Sequence, residues 1–306
     1  MKRYCIIVNP TAGKGAAKKA LPKIEDLLKR LEIDYDLKVT EYPGHAIEIA
    51  QAAGTNGYNT VVAVGGDGTA NEVINGLMAA VNGSQKMANF AVLPVGRGND
   101  FSYGMGIPQD LESACQLLVD GKTRKIDIGF LRGGDYPEGR YFGNGIGIGF
   151  DTVVGFEAAK LPSFIGGIPG YIIAALKTIF LFFNEPIIRI EIDGEVVEQP
   201  CLLVSVMNGR RMGGSFMFAP DSASDDGMLN LCIAGKLTRL QVLGLFPKVM
   251  AGTQSDHPAI TMPTGQTISI EAVTGSLPVH ADGETICVSG HKLDIQVLQK
   301  HLNLVC

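Results

Sequence analysis

Three short stretches of this 306-residue chain combine carboxylates with glycine in a way that suits the handling of phosphate. In Gly65-Gly66-Asp67-Gly68-Thr69-Ala70-Asn71-Glu72, three glycines within four residues let the backbone turn sharply and approach a ligand with no Cβ in the way. Backbone N–H groups and the positive end of a following helix then point at one spot, where a phosphate would be held. Asp67 is out of place in a passive anion site, because a carboxylate there repels phosphate unless a Mg²⁺ or a proton-carrying hydroxyl lies between them. The stretch therefore points to phosphoryl transfer more than to nucleotide binding alone. Pro94-Val95-Gly96-Arg97-Gly98-Asn99-Asp100-Phe101 adds a fixed cation, Arg97, and a second carboxylate, Asp100. Ala219-Pro220-Asp221-Ser222-Ala223-Ser224-Asp225-Asp226-Gly227 has enough oxygens to hold Mg²⁺ or Ca²⁺, although acidic turns are more often simply solvated. Asp-Gly-Glu occurs twice, at Asp193 to Glu195 and Asp282 to Glu284. A hairpin turn between strands explains both, and nothing local marks either as catalytic.

The elements that must position these residues read as strand, glycine loop, helix. Val61 to Val64 is a run of four apolar residues, the pattern of a parallel strand buried on both faces. Thr69 and Asn71 are candidate N-caps of the helix that follows, which carries Val73, Ile74, Leu77 and Met78 to about Asn82. Tyr4 to Val8 is a first strand, and Asn9-Pro10-Thr11-Ala12-Gly13-Lys14-Gly15 leads into a helix from Ala16 to Leu31; this loop lacks the spacing of a Walker A loop but is able to lie over phosphates. Tyr35 to Thr40 is another strand, with Thr40 at its end, and His45 near the next helix start reads as a polar cap. Phe90 to Leu93 precedes the Arg97 loop. Loops at the ends of neighbouring parallel strands converge at the carboxyl edge of an open sheet, where such sheets bind ligands. From about Phe130 the pattern becomes short strands and glycine turns, a mainly β domain. Gly143, Gly145, Gly147 and Gly149 alternate, as in a strand packed closely against a neighbour.

Length suits two domains, 1–129 and 130–299, and the net charge of −5 excludes a nucleic-acid protein. A small or lipid substrate is expected instead. Six scattered cysteines without a C-x-x-C pair read as reduced core residues of a cytoplasmic protein, and the apolar run after Met1-Lys2-Arg3 is too short for a signal peptide. Residues 163–183 are apolar but contain Pro169, three glycines and Lys177; a buried helix from Gly170 to Phe183 is the commoner explanation, and a helix lining a lipid site or touching a membrane surface is the functional one.

Taken together, these motifs resemble a known family. Asn9-Pro10-x-x-Gly13, the Gly65 to Glu72 loop, the Pro94 to Phe101 loop, Lys125-x-Asp127, Asn144 to Asp151, the Ala219 to Gly227 loop and Asp282-Gly283-Glu284 appear in an order that is similar to soluble bacterial lipid kinases of the diacylglycerol kinase catalytic family, kin to sphingosine and ceramide kinases. The resemblance implies a Rossmann-like parallel-sheet domain that binds ATP, a β-sandwich domain, and a tail, 300–306, that returns to the first domain. It places Asn9, Pro10, Thr11, Gly13, Thr40, Gly65, Gly66, Asp67, Gly68, Thr69, Asn71, Arg97, Asn99 and Asp100 at the nucleotide, and Glu284 as general base toward a lipid hydroxyl, with Asp67 as rival base. It also implies a structural Mg²⁺ on Asp226 and the carbonyls of Ala223 and Met228. The family usually carries a small hydroxyl residue where Arg97 stands. A lipid presented at a membrane surface is the implied partner, and a homodimer is common among bacterial relatives. Two other readings stay open: phosphorylation of a dinucleotide in the manner of NAD kinase, and a nucleotide-binding, membrane-associated regulator without turnover.

Overall fold

A computed structural model of the chain describes residues 3–81, 87–161 and 167–306. In chain order the elements are β1 (Tyr4–Val8), α1 (Ala12–Arg30), β2 (Tyr35–Val39), α2 (His45–Thr55), β3 (Thr60–Gly65), α3 (Asp67–Ala80), β4 (Asn89–Pro94), α4 (Asp100–Gly104) and α5 (Leu111–Asp120). They continue with β5 (Thr123–Gly133), β6 (Tyr136–Phe142), β7 (Gly145–Gly149), α6 (Phe150–Ala159), α7 (Gly167–Leu181), β8 (Ile187–Ile192), β9 (Glu195–Pro200), β10 (Leu203–Met207) and β11 (Leu229–Ala234). The last are α8 (Arg239–Ala251), β12 (Ile260–Thr261), β13 (Thr264–Gly265), β14 (Thr267–Ala272), β15 (Leu277–Ala281), β16 (Glu284–Gly290) and β17 (Lys292–Val305). Two compact units result: Met1–Ile128 with Tyr141–Gly143 and Leu298–Cys306, and Gly129–Arg140 with Asn144–Val297.

The first unit is built on parallel strands in the order β2-β1-β3-β4, with the end of β17 parallel to β4 through Leu304 opposite Phe90. Its apolar runs divide by parity. Tyr4, Ile6, Val8, Val62, Val64, Ala91 and Leu93 belong to one core cluster, and Cys5, Ile7, Val61, Ala63, Phe90 and Val92 to another. Successive side chains point to opposite faces of a strand, and β1, β3 and β4 are covered on both faces, so their runs stay apolar; the edge strand β2, with Asp36 and Lys38, keeps a polar alternation. Near its C-terminus β17 bends at Lys300, which is left-handed (φ 49°) and whose N–H donates to the buried Asp127 carboxylate at 2.6 Å.

The second unit is an antiparallel β-sandwich. One sheet runs β12-β11-β10-β7-β15-β16 with β13 also on β11, and the other places β14 between the start of β17 and β8, with β9 outermost. β7 carries the alternating glycines, and the expected close packing is present: a Cβ on Gly145 would lie 2.5 Å from the Met207 sulfur.

Several expectations are corrected. The strand expected to carry all four alternating glycines is shorter: β6 ends at Phe142 before Gly143, β7 begins at Gly145, and Gly149 (φ 91°) ends it so that Phe150 opens α6. The N-cap of α3 is Gly66; Thr69 and Asn71 lie inside the helix and are buried. The end assigned to this helix, Asn82, lies outside the described residues. The apolar segment is helical over Gly167–Leu181, residues 163–166 lying outside the described residues, but it is not buried. Ala174, Ala175 and Ile179 pack inward, whereas Ile172, Ile173, Leu176, Phe180, Leu181 and Phe182 are exposed, Leu181 to 67%. Composition had no means to distinguish a helix buried all round from one with an apolar outer face. Among the described residues no helix is long and apolar enough to cross a membrane.

Candidate active site

At the carboxyl edge of the first unit's sheet the ladder runs one step past the strands: Thr40 N–H donates to Val8 O (2.9 Å), Asn9 N–H to Val64 O (3.1 Å) and Val95 N–H to Gly65 O (2.8 Å). The four loops thus start side by side. The chain leaves β1 toward β2 and returns to β3 on the other flank, so the crevice between β1 and β3 is the topological switch point. Across it the Asn9 side-chain amide donates to Thr69 Oγ1 at 3.1 Å, and Asn9 Oδ1 accepts from both the N–H and the hydroxyl of Thr11. Gly13, Lys14 and Gly15 are all left-handed, which doubles the loop back; a Cβ on Gly13 would fall 2.6 Å from Val95 O.

The two carboxylates converge. Asp67 follows the extended Gly66, and its Oδ1 accepts from Phe101 N–H at 2.9 Å. Asp100, almost fully buried, opens α4 behind the left-handed Asn99, whose Oδ1 accepts from Gly96 N–H at 2.8 Å. A Cβ on Gly98 would meet Asp67 Oδ2 at 3.1 Å and Asp100 Oδ2 at 3.2 Å, so both oxygens aim at the space that this glycine leaves. Gly66 and Gly96 touch backbone to backbone, and a Cβ on Gly96 would collide with the Gly66 Cα. Hard carboxylate oxygens beside the positive N-terminus of α3 fit a divalent cation. Arg97 at the loop tip is exposed and makes no hydrogen bond or ion pair among the described residues.

Not every expected residue reaches this edge. Asn71 is fully buried and donates to Tyr141 O at 2.9 Å, with Asn75 bonded to it. Glu72 faces α2 and accepts from Gly44 and Ala46 N–H at 3.0 Å each, which caps that helix. His45 serves the turn before α2: its Nδ1 accepts from Glu41 N–H and its ring stacks on Tyr42 at 4.4 Å.

In the second unit the two Asp-Gly-Glu turns have the same backbone, φ 49° and 91° at Asp193 and Gly194, φ 48° and 86° at Asp282 and Gly283. Their surroundings separate them. Asp193 lies at the surface, where its carboxylate accepts from Gln266 N–H, Thr267 N–H and the Thr267 hydroxyl. These bonds, that from Thr267 N–H first, hold its carboxyl below the usual range. Asp282 is buried, and its Oδ1 accepts from Asn144 N–H (3.0 Å) and Gly145 N–H (2.9 Å). Glu284, next along, is partly exposed at the start of β16 and stands on a turn clamped to β7. In the acidic loop, Asp226 Oδ1 accepts from Met228 N–H at 2.9 Å, and among the described residues no group of three or more His, Cys, Asp or Glu side chains is placed to hold a metal.

The sequence reading missed Asp151 and His280 in this unit. Asp151 is largely buried in the first turn of α6, and His280 Nε2 lies 3.5 Å from its Oδ2. The available signal was an acidic residue inside an otherwise apolar, glycine-rich stretch.

A parallel-sheet unit with a phosphate-suited glycine edge, joined to an antiparallel sandwich, defines the fold class of the NAD kinase-like and diacylglycerol kinase-like proteins. Comparison with known proteins agrees. Residues 3–131 match the diacylglycerol kinase catalytic domain and residues 144–306 the YegS C-terminal NAD kinase beta sandwich-like domain. The chain belongs to the diacylglycerol kinase family of lipid kinases. A diacylglycerol kinase of Staphylococcus aureus (strain bovine RF122 / ET3-1) is 32% identical over 289 residues, 92% of this chain and 86% of that protein. Two crystal structures of candidate diacylglycerol kinases from Bacillus anthracis str. Sterne are 26% and 27% identical, with TM-scores of 0.78 and 0.77; each match covers 99% of this chain and 97% of that one.

Proposed function

We propose that the protein is an ATP-dependent kinase that transfers the γ-phosphoryl group to a hydroxyl of a lipid such as diacylglycerol. The observation that carries this reading is the convergence of Asp67 and Asp100 on the gap above Gly98, where the β3 and β4 loops meet beside the β1–β3 switch point. The loops Asn9 to Gly13, Gly65 to Thr69 and Gly96 to Asn99 would line the triphosphate, Thr40 lies at the same sheet edge, and Arg97 would supply a cation in place of the family's hydroxyl. Asp67 and Asp100 would hold a Mg²⁺, which when bound would neutralise charge on the phosphates. Glu284 takes the proton of the attacking hydroxyl as the oxygen–phosphorus bond forms and the bond from γ-phosphorus to the bridging oxygen breaks, leaving ADP. For the structural Mg²⁺ at Asp226, Ala223 and Met228 the fit is poorer. One carboxylate, already bonded to Met228 N–H, with two carbonyls falls short of the six oxygens such an ion takes, and no step is assigned to it.

The outward apolar residues of α7, with Lys160 and Lys177 paired to Glu157 at its flank, support contact with a membrane surface that presents the lipid to a cytoplasmic enzyme. The test is transfer of labelled γ-phosphate from Mg-ATP to lipids in mixed micelles, with NAD in a parallel tube. Label in a lipid supports the reading. Label in NADP, or ATP binding without transfer, replaces it with the dinucleotide kinase or the regulator.

A further inference from the structure

Just past the carboxyl end of β2 stands Tyr42, a side chain that is 47% exposed and yet firmly held. His45 stacks on one face of its ring, with centroids 4.4 Å apart and planes within 4°, and the phenol donates to Glu48 Oε2 at 2.8 Å. Pro43 restricts the backbone of Tyr42 to extended conformations. The turn itself is anchored, since His45 Nδ1 accepts from Glu41 N–H and Glu72 accepts from Gly44 and Ala46 N–H. Glu72 belongs to α3, the helix that Asp67 opens, so the ring is tied to the element that carries one of the two converging carboxylates. Among the described residues no second ring or cation covers its other face. Ordering an exposed ring costs side-chain entropy that burial does not return here, and the arrangement suits a flat partner that adds a layer to the stack.

We propose that Tyr42 is the platform on which the base of the nucleotide stacks, and that it selects purine over pyrimidine nucleoside triphosphates. The inference rests on the kinase reading for its ligand and adds what that reading leaves open, the other end of the nucleotide. Direction follows from the strand order. Asp67 and Asp100, in the β3 and β4 loops, mark the end where phosphate reacts, and the Asn9 to Gly13 loop that lines the phosphates follows β1, so the nucleoside end extends over β1 toward β2. Two strand spacings separate β3 from β2, about 10 Å, which leaves the phosphates and ribose room to cross β1. Charge agrees with this direction. Glu41, Glu48 and Glu72 gather around the turn and residues 40–50 contain no Lys or Arg, a setting that repels phosphates and accepts a neutral base. Stacking reads the face of a base rather than its edge, so adenine and guanine are taken alike, and the wider purine stacks better than a pyrimidine.

The chain has no tryptophan, so Tyr42→Trp introduces a single indole reporter. Its fluorescence is expected to be quenched as Mg-ATP is titrated in and unchanged by Mg-tripolyphosphate, which offers the phosphates without a base. In parallel, calorimetry without lipid compares Mg-ATP, Mg-GTP, Mg-UTP and Mg-tripolyphosphate on the wild type, Tyr42→Phe and Tyr42→Ala. The wild type should bind ATP and GTP within about threefold of each other, and both about fivefold or more tighter than UTP. Tyr42→Ala should weaken ATP by about five- to 150-fold, the range for removing one aromatic stack, with tripolyphosphate changed by less than about twofold and Tyr42→Phe close to the wild type. Equal binding of ATP and UTP by the wild type, quenching of the indole by tripolyphosphate, or a Tyr42→Ala variant that binds ATP as before or loses tripolyphosphate equally overturns the proposal. The wild-type series and the indole decide the matter even if Tyr42→Ala fails to fold. Phosphate transfer is assayed separately: Tyr42-dependent nucleotide binding without transfer to any lipid sinks the kinase reading alone, transfer with base-independent binding sinks the platform alone, and failure to bind any nucleotide sinks both.

Discussion

Glu284 and Glu195 are a natural pair of test and control, because they follow turns of the same backbone in the same unit. Glu284→Gln is expected to lower kcat by about 10²- to 10⁴-fold, the range for loss of a general base, with Glu195→Gln unchanged. Equal effects would remove Glu284 from the chemistry and leave Asp67 as the base. Asp67 has a second duty, since its Oδ1 holds Phe101 N–H, so Asp67→Asn should weaken Mg-nucleotide binding as well as turnover. At Gly96 the added methyl of Gly96→Ala meets backbone rather than a movable side chain. Nucleotide affinity measured by titration calorimetry should fall there well before it falls in Arg97→Ala, whose exposed guanidinium leaves without disturbing the loop. The carboxylates were legible as sequence because their types and glycine neighbours are unusual together. Which Asp-Gly-Glu mattered was not, because the distinction lies in burial of Asp282 against β7, a contact made 137 residues away.

Among the elements, β4 is buried from Phe90 to Pro94, and Phe90 on it is fully buried with its ring centroid 5.7 Å from that of Phe101 in the Arg97 loop's continuation. Phe90→Ala should destabilise by about 3–5 kcal/mol, read from denaturant midpoints. The β8–β9 turn gives a pH-dependent contribution. Because its bonds depress the Asp193 carboxyl in the folded protein, the stabilisation is present above the unfolded-chain value of about 4 and is lost as pH falls through the lower folded value. After solvent screening its size is about 1 kcal/mol, and Asp193→Asn should flatten the acid limb of a stability profile by that much. The inner parallel strands β1, β3 and β4 were readable because burial on both faces demands unbroken apolar runs. β9, exposed along nearly its whole length and ending in Pro200, offered no such signal. The error at α7 has the same root, since hydrophobicity reports that a residue avoids water without saying what replaces the water.

Across the whole molecule, five of the six cysteines are buried, and burial pushes the thiols of Cys5, Cys115 and Cys201 up to about 11 and that of Cys232 up to about 12. Alkylation of the native protein at neutral pH should therefore modify Cys306 alone, and denaturant should release the others. The apolar face of α7 is tested by sedimentation with anionic vesicles: Phe180→Asp with Leu181→Asp should abolish co-sedimentation yet leave turnover of a dispersed short-chain lipid within about twofold. Loss of both would mean that the helix serves the fold instead. The division of β17 has a further outcome, in the order of synthesis. The first unit takes one of its strands from Leu298 onward, a part of the chain that leaves the ribosome only after the whole of the second unit. Until then β4 exposes the backbone edge that β17 later covers, so the nucleotide-suited unit remains incomplete while everything after it is being made. A nascent chain stalled before Leu298 should be protease-sensitive and prone to edge pairing, and any chain lost to premature termination never acquires a finished phosphate site.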